Sequence, residues 1–518
     1  MKRLLLIFVI AFGQLVNAAV VINEFLASNS TGLQDPDAPG QYPDWIELYN
    51  SGDRSVTLGG YYLTDNRARL TKWRIPEGLQ IAAKGFLLFL ADGETEQGAR
   101  HTNFKLNSSD GFVGLIAGDG TIVDSLTYGK QFADVSYGRS PDGGATWLYF
   151  ESPSPNAKNS AAGFIGKLEK VQFSHRRGFY ESAFDLMLSN DNPNAKIYYT
   201  LDGSEPGGRV GGGTMLYNKP IRITTTSHVR AHAFLEGWQS NSSVTHTFIF
   251  LNDVIKQPRV PDGFPQNWGW TGLGDYEMDA RVVNHPDYKN TIIDDMKSIP
   301  TMSLVMDVDD WFGEGGQGIY IQGELDERAV SAEVIYPDGA EGVQINCAVM
   351  IVGGTSPNRW KMDKLSMRLK FTREYGPAQL KYPLFGDDAT DEFQTLVLDA
   401  RMNNSWAYGG GVGIDGRNLK QNDIAQYTRD NFVAELQKAM DGLAPSGRQM
   451  HLYLNGLYWG LYWVHERPDE HFAASYRGGA AEDYDVIKHN IDGVVNGSND
   501  HYRQMFSIAN SSRPLSDK

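Results

Sequence analysis

One cysteine, Cys347, stands in a chain of 518 residues. No disulfide can therefore form within the chain, and its stability has to come from hydrophobic cores. No Cys/His set has zinc-finger spacing and no His-Glu-x-x-His occurs, which excludes the zinc folds recognised by spacing. Basic residues are in deficit: 47 Lys and Arg against 63 Asp and Glu, for a net charge of −16. The broad basic footprint with which a nucleic-acid binder neutralises phosphates is missing, so nucleic acid is not an expected partner. No internal run reaches the roughly 20 apolar residues that cross a bilayer, so no membrane span is expected.

What is present reads as folded and β-rich. Hydrophobic residues make up 41% of the chain and aromatics 12%, values that support packed cores, and the length calls for several domains. Glycine is abundant at 56 residues and proline ordinary at 22, a turn-rich balance. The chain opens with Met1-Lys2-Arg3, an apolar run from Leu4 to Phe12, and Val16-Asn17-Ala18. These are the charged start, core and small-residue site of a secretory signal, with cleavage expected after Ala18 and a secreted or cell-surface location as the consequence. The run is too short for an anchor.

From 19 to about 160, strand-like runs recur at short intervals. Asp44-Trp-Ile-Glu-Leu-Tyr-Asn50 alternates apolar and polar residues, and Gly85-Phe-Leu-Leu-Phe-Leu90 is continuously apolar, as for a strand buried on both faces. Glu24, Asp44 and Glu47 offer either a cation site or solvent-facing edge carboxylates. From 165 to 250, Lys196-Ile-Tyr-Tyr-Thr-Leu-Asp-Gly-Ser-Glu-Pro206 is a strand and turn, and Val229-Arg-Ala-His-Ala-Phe234 a half-buried strand. Residues 251–297 read as a linker, with prolines and the Asn267-Trp-Gly-Trp-Thr-Gly272 cluster. Trp268 and Trp270 there suit either stacking on a sugar or pinning the connector. Cys347 lies in an apolar strand-like run and reads as a core residue. Tyr427 to Met440 predicts a helix with Phe432, Val433, Leu436 and Met440 on one face, and with Asp423 and Gln426 placed to cap its start.

Three resemblances follow from these motifs. "INEFLASNS…DWIELYNSGDRSVTLGGYYLTDN" with "KWRIPEGLQIAAKGFLLFLADG" resembles a lamin-tail domain, an immunoglobulin-like sandwich. "IYYTLDGSEP" resembles the accessory sandwich at the C-terminus of chitobiases and β-hexosaminidases, which does not carry the glycosidase acids. Asn455-Gly-Leu-Tyr-Trp-Gly-Leu-Tyr-Trp-Val-His-Glu466 is similar to the NGxYxGLYxxxE segment of the CotH family, atypical secreted protein kinases. The expected fold class is therefore multidomain and mainly β. A signal peptide (1–18) and two immunoglobulin-like sandwiches (19–160 and 165–250) lead, through the linker 251–297, to an α+β atypical-kinase-like domain over 298–518.

The CotH resemblance implies ATP with Mg or Mn as cofactors and a protein substrate at the cell surface. A small-residue loop lets backbone N–H groups approach phosphates, and a following lysine adds a point charge. Gly353, Gly354 and Ser356 fit the loop, and Lys364 or Lys361 the lysine, with Asp430 or Glu435 on the helix as its carboxylate partner. Either lysine also reads as a solvated residue beside a strand. Glu466 and Asp469 fall where the resemblance puts a nucleotide-binding hinge, and equally where a carboxylate caps a helix. Tyr458, Tyr462 and Trp463 read as core aromatics of a hairpin turned by Asn455-Gly456. The family's catalytic and metal-binding Asp residues have no counterpart among Asp469, Asp483, Asp485, Asp492 and Asp500. They are expected beyond residue 518, in a domain cut short here, and no metal ligand is assigned. The alternative is a non-enzymatic surface or matrix protein whose β modules bind a glycan or protein ligand.

Overall fold

A computed structural model describes residues 20–159, 162–268, 273–313, 318–322, 326–353, 364–401, 411–412, 418–419, 425–488 and 492–511. The expected signal peptide, Trp270, Gly354, Ser356, Lys361 and Asp423 lie outside them. The chain divides into two compact units, Met1–Lys167 with Leu235–Gln239, and Leu168–Phe234 with Ser240–Lys518.

The first unit is built from nine principal strands: β1 (Val20–Leu26), β2 (Asp44–Asn50), β3 (Tyr62–Thr64), β4 (Trp73–Arg74), β5 (Phe86–Ala91), β6 (Gly111–Ile116), β7 (Ile122–Tyr128), β8 (Ser136–Arg139) and β9 (Trp147–Phe150). They form a five-stranded sheet in the order β9-β8-β1-β2-β5 and a four-stranded sheet in the order β4-β3-β6-β7. Ile22, Ile46 and Phe89 of one sheet pack with Leu63, Val113 and Leu115 of the other in a shared core. β5 is buried on both faces, as its unbroken apolar run predicts. Leu87 and Phe89 enter that core, while Leu88 and Leu90 join Leu26 and Trp45 on the opposite side.

The second unit begins with a small module of β10 (Gly178–Phe179), β11 (Lys196–Thr200), β12 (Met215–Leu216), β13 (Ser227–Phe234) and β14 (Val244–Ile249), in the order β10-β14-β13-β11-β12. It continues into a closed seven-stranded barrel made of β15 (Thr301–Val305), β16 (Arg328–Ile335), β17 (Gln344–Ile351), β18 (Met367–Lys370), β19 (Thr395–Asp399), β20 (Gly447–Leu454) and β21 (Leu457–Glu466). Around the barrel the order is β15-β16-β17-β18-β19-β21-β20, and β15 closes it by pairing in parallel with β20. Alternate residues point inward, so Leu304, Val349, Met367, Leu369, Leu396, Leu398 and Leu452 fill the barrel. Cys347 is among them, 1% exposed, and burial pushes its thiol pKa far up, which leaves it a small core hydrophobe.

Residues 251–297 are not a free connector. Trp268 and Tyr276 are fully buried in the barrel's core cluster, where Trp268 stacks on Phe312 at 5.7 Å and donates from Nε1 to the Tyr276 hydroxyl at 2.7 Å. Trp268 therefore pins this segment, and its face is closed to a sugar.

The Asn455-Gly456 turn joins β20 to β21. Asn455 takes φ +47° and Gly456 φ +81°, the left-handed pair that a tight hairpin needs. Asn455 is fixed by more than the turn. Its amide accepts from Met306 N–H at 3.0 Å and donates to Met306 C=O at 2.7 Å. Each such buried group left unpaired costs about 1–3 kcal/mol. Tyr462 and Trp463 are buried and Tyr458 half-buried, in keeping with core roles.

The module docks on the barrel through a buried polar knot. Glu333 of β16 is wholly buried and accepts from Thr247 N–H of β14 at 3.2 Å and from the Thr247 hydroxyl. Arg177, just before β10, brings a guanidinium nitrogen to 3.5 Å from its carboxylate.

Candidate functional site

A cleft of about 720 Å³ opens on the outer wall of the barrel. Its floor is one cross-strand row, Met350–Arg368–Val397–His465, running over β17, β18, β19 and β21. The side chains alternate across each strand, so inward Met367, Leu369, Leu396 and Leu398 force these neighbours outward into the cleft. Gly353 sits at the end of β17 with φ +124°, a backbone state that glycine tolerates. The opposite wall comes from the hairpin of β22 (Val486–Ile487) and β23 (Val494–Asn496), with Val486, Ile487, Lys488 and Val495 lining it.

The cleft joins an apolar surface to a cationic one. Val352, Val397, Pro468 and the hairpin valines are apolar, and Arg368, Arg467 and Lys488 bring three cations. Arg368 is poorly partnered among the described residues: its Nε is buried without an acceptor, and one terminal nitrogen rests at 2.7 Å on the Met350 sulfur, a weak acceptor. His465 stacks on Trp463 at 4.0 Å, and burial lowers its pKa, so it stands neutral on the floor. Among the described lining residues, Asp399 is the carboxylate. It is oriented by the Ser366 hydroxyl at 3.1 Å and by Arg401 N–H at 2.9 Å.

Among the described residues, helix α1 (Arg429–Ala439) lies between β19 and β20, and α2 (Glu470–Arg477) and α3 (Asp500–Ala509) follow β21. α1 docks through polar groups. Asp430 and Asn431 bond the guanidinium of Arg401, which is buried over the Trp463 ring at 4.1 Å. Among the described residues, Ala434 is the buried member of α1, and Phe432, Val433, Leu436 and Met440 are exposed.

The expected site residues are distributed as follows. Gly353 lines the cleft. Lys364 is not among its lining residues: its ammonium lies 3.8 Å from the centre of the Trp459 ring and donates to the Asp275 carbonyl. Asp430 reaches Arg401, and Glu435 pairs with Lys438 at 3.1 Å. Glu466 and Asp469 line a smaller pocket of about 220 Å³ that shares Arg467 with the cleft. Glu466 is buried and accepts from Ser446 N–H at 2.7 Å and from the Tyr476 hydroxyl at 3.0 Å. Burial raises its pKa and these donors oppose the rise. Asp469 caps α2, accepting from Phe472 N–H at 3.1 Å. Arg368 and Asp399 escaped the sequence reading, although the strand alternation around Met367 places both on the outer face.

The carboxylates of the first unit are not edge charges facing solvent. Glu24 and Glu47 are wholly buried and face each other across β1 and β2. Burial accounts for their distance from solvent, and donors take the place of water. Glu24 accepts from Ser154 N–H at 3.2 Å and Ser154 Oγ at 2.9 Å, and Glu47 from Asn23 at 3.3 Å and Asn156 N–H at 2.5 Å. Burial first, and Glu24 second, push the Glu47 pKa up to about 8. Asp44 lies apart from the pair, accepting from Leu106 N–H at 3.3 Å, with its pKa raised by burial to about 6.

Comparison with known families gives three matches. Residues 14–130 match the Lamin Tail Domain, 186–248 the Fn3 associated family and 414–513 the CotH kinase protein family. The last match covers α1, β20, β21, α2 and the β22–β23 hairpin, one wall of the cleft. The Fn3 associated match spans most of the middle module, including its chitobiase-like motif. No curated protein matches the chain.

Proposed function

We propose that this chain carries the nucleotide-binding part of an exported CotH-type protein kinase, and that ATP occupies the barrel-wall cleft. The observation that carries the reading is the under-partnered Arg368 on the floor of an apolar cleft whose far wall belongs to the CotH-matching segment. A volume of about 720 Å³ suits a ligand of nucleotide size. The apolar strip from Val397 to Val486 would take the base, and Arg368 with Lys488 would face the phosphates. ATP supplies the phosphoryl group for an acceptor hydroxyl on a surface protein. Asp399 would be the residue to hold Mg or Mn in the cleft, where Ser366 and Arg401 N–H fix one of its oxygens.

Arg368→Ala should weaken ATP binding at least about 10-fold, as expected for loss of a charge-assisted hydrogen bond of roughly 1.5–3 kcal/mol. Titration calorimetry with ATP and Mg on the full chain reads this. A chain that shows no heat of binding and no nucleotide-dependent thermal shift would sink the reading. That outcome would favour a non-enzymatic surface protein, a second reading drawn from the single carboxylate among the described lining residues. The extracellular location rests on the leader sequence. Intact mass spectrometry of the protein from the medium or cell surface should show a start at Ala19, and an intracellular product retaining Met1–Ala18 would contradict export.

A further inference from the structure

The first unit brings together a group of side chains that neither its strands nor its matched family explain. The loop between β1 and β2 turns back at Asp35-Pro36-Asp37, held by Asp35 N–H on Gln41 C=O at 2.9 Å. His101 bridges to Leu90 at the end of β5, and Asp92 follows that strand. Ligand atoms of Asp35, Asp37 and His101 thereby lie within 4.8 Å of one another.

Three details give this group direction. His101 is 2% exposed, and its Nδ1 lies 2.6 Å from Asp92 Oδ2, which fixes the ring and turns Nε2 toward the loop. A carboxylate behind the far nitrogen is the usual support of a metal-binding imidazole. Asp35 is 3% exposed, yet the hydrogen bond to its side chain among the described residues is the one from Asp37 N–H to Oδ1 at 2.8 Å. A carboxylate so buried, with that single donor, is costly unless a cation faces it. The cluster is also unbalanced in charge. Three carboxylates surround one imidazole, and among the described residues their ion-pair partner is His101 alone.

We propose that Asp35, Asp37 and His101 form a site for a divalent transition metal of the zinc class, with Asp92 as a positioning residue behind His101. The observed 3.2 Å between His101 Nε2 and Asp37 Oδ2 is close to the edge of a zinc tetrahedron. Bonds of about 2.0–2.1 Å at tetrahedral angles give an edge of about 3.3 Å. The mixed imidazole and carboxylate set favours zinc over calcium, which takes oxygen ligands. Asp35 and Asp37 lie far from His101 in sequence, so no spacing motif announces the set.

The test uses the full chain, stripped with a chelator and titrated with zinc chloride by calorimetry at neutral pH, alongside two variants. Asp37 has a 55% exposed side chain, so Asp37→Ala should fold. One zinc per chain is expected at this site, with affinity reduced at least about 100-fold in Asp37→Ala and about 10–100-fold in Asp92→Asn. Zinc binding should also raise the unfolding temperature of the unaltered chain and not that of Asp37→Ala. Absence of zinc binding would overturn the proposal. So would zinc binding of equal affinity to the unaltered chain and Asp37→Ala, which would place the ion elsewhere.

Discussion

Arg177→Ala should lower the stability of the second unit by about 3–5 kcal/mol, the usual cost of removing one partner from a buried charge pair. Glu333 would remain wholly buried, with Thr247 as its donor and no counter-charge. Burial already raises the Glu333 pKa, with Arg177 pulling it down. In Arg177→Ala that restraint is gone, and the side chain should take up a proton more readily. The destabilisation should therefore shrink in acid, where the carboxyl is neutral. Urea unfolding followed by tryptophan fluorescence at pH 5 and pH 8 separates the two states. Adding Glu333→Gln to Arg177→Ala should recover much of the loss at pH 8, because the stranded charge is removed while the side chain's shape is kept. If Arg177→Ala unfolds at the same urea concentration as the unaltered chain, the knot is not holding module to barrel.

Glu47 sets the second large effect. Its folded pKa of about 8 stands above the ordinary value of 4.5, chiefly through burial and then through Glu24. The folded unit therefore binds a proton that the unfolded chain releases. This contribution is fully present below the unfolded value and is lost as pH rises through about 8. At about 1.4 kcal/mol per unit, the loss for this group approaches about 5 kcal/mol. Asp44, raised to about 6, acts in the same direction on a smaller scale. Calorimetric scans should show the first unit's transition falling steadily from pH 5 to pH 9. Glu47→Gln, uncharged throughout, should flatten most of that slope. A transition that holds its temperature across this range, or a Glu47→Gln variant with an unchanged slope, would show that the pair shares no proton.

Much of the architecture was legible because local patterns carry it. The alternation in Asp44–Asn50 and the apolar run ending at Leu90 gave two central strands, and Asn455-Gly456 gave the hairpin through its demand for positive φ. What the patterns could not carry was distance. Glu24 and Glu47 read as edge charges because their donors, Ser136, Ser154 and Asn156, come from segments more than a hundred residues away. Lys364 looked poised for phosphate from its place beside a strand, but nothing in its neighbourhood announces the Trp459 ring that its ammonium faces. The 251–297 stretch read as a linker from its prolines and glycines. Its burial depends on Trp268 finding Phe312 and Trp459, which composition cannot show. The cleft's outer residues were implicit in the alternation of β18. Naming them a site required the wall that β22 and β23 supply.

Closure of the barrel by the parallel pairing of Thr301–Leu304 with His451–Leu454 also constrains how this domain can fold. No shorter stretch of chain contains both sides of the seam. A polypeptide emerging from its N-terminus exposes the free edge of Thr301–Val305 until the Asn455 hairpin has been delivered, and contacts so far apart in sequence form slowly. An open edge of this kind invites pairing with another chain. The domain therefore passes through its most aggregation-prone state late, when most of its strands have been made but the seam is still open.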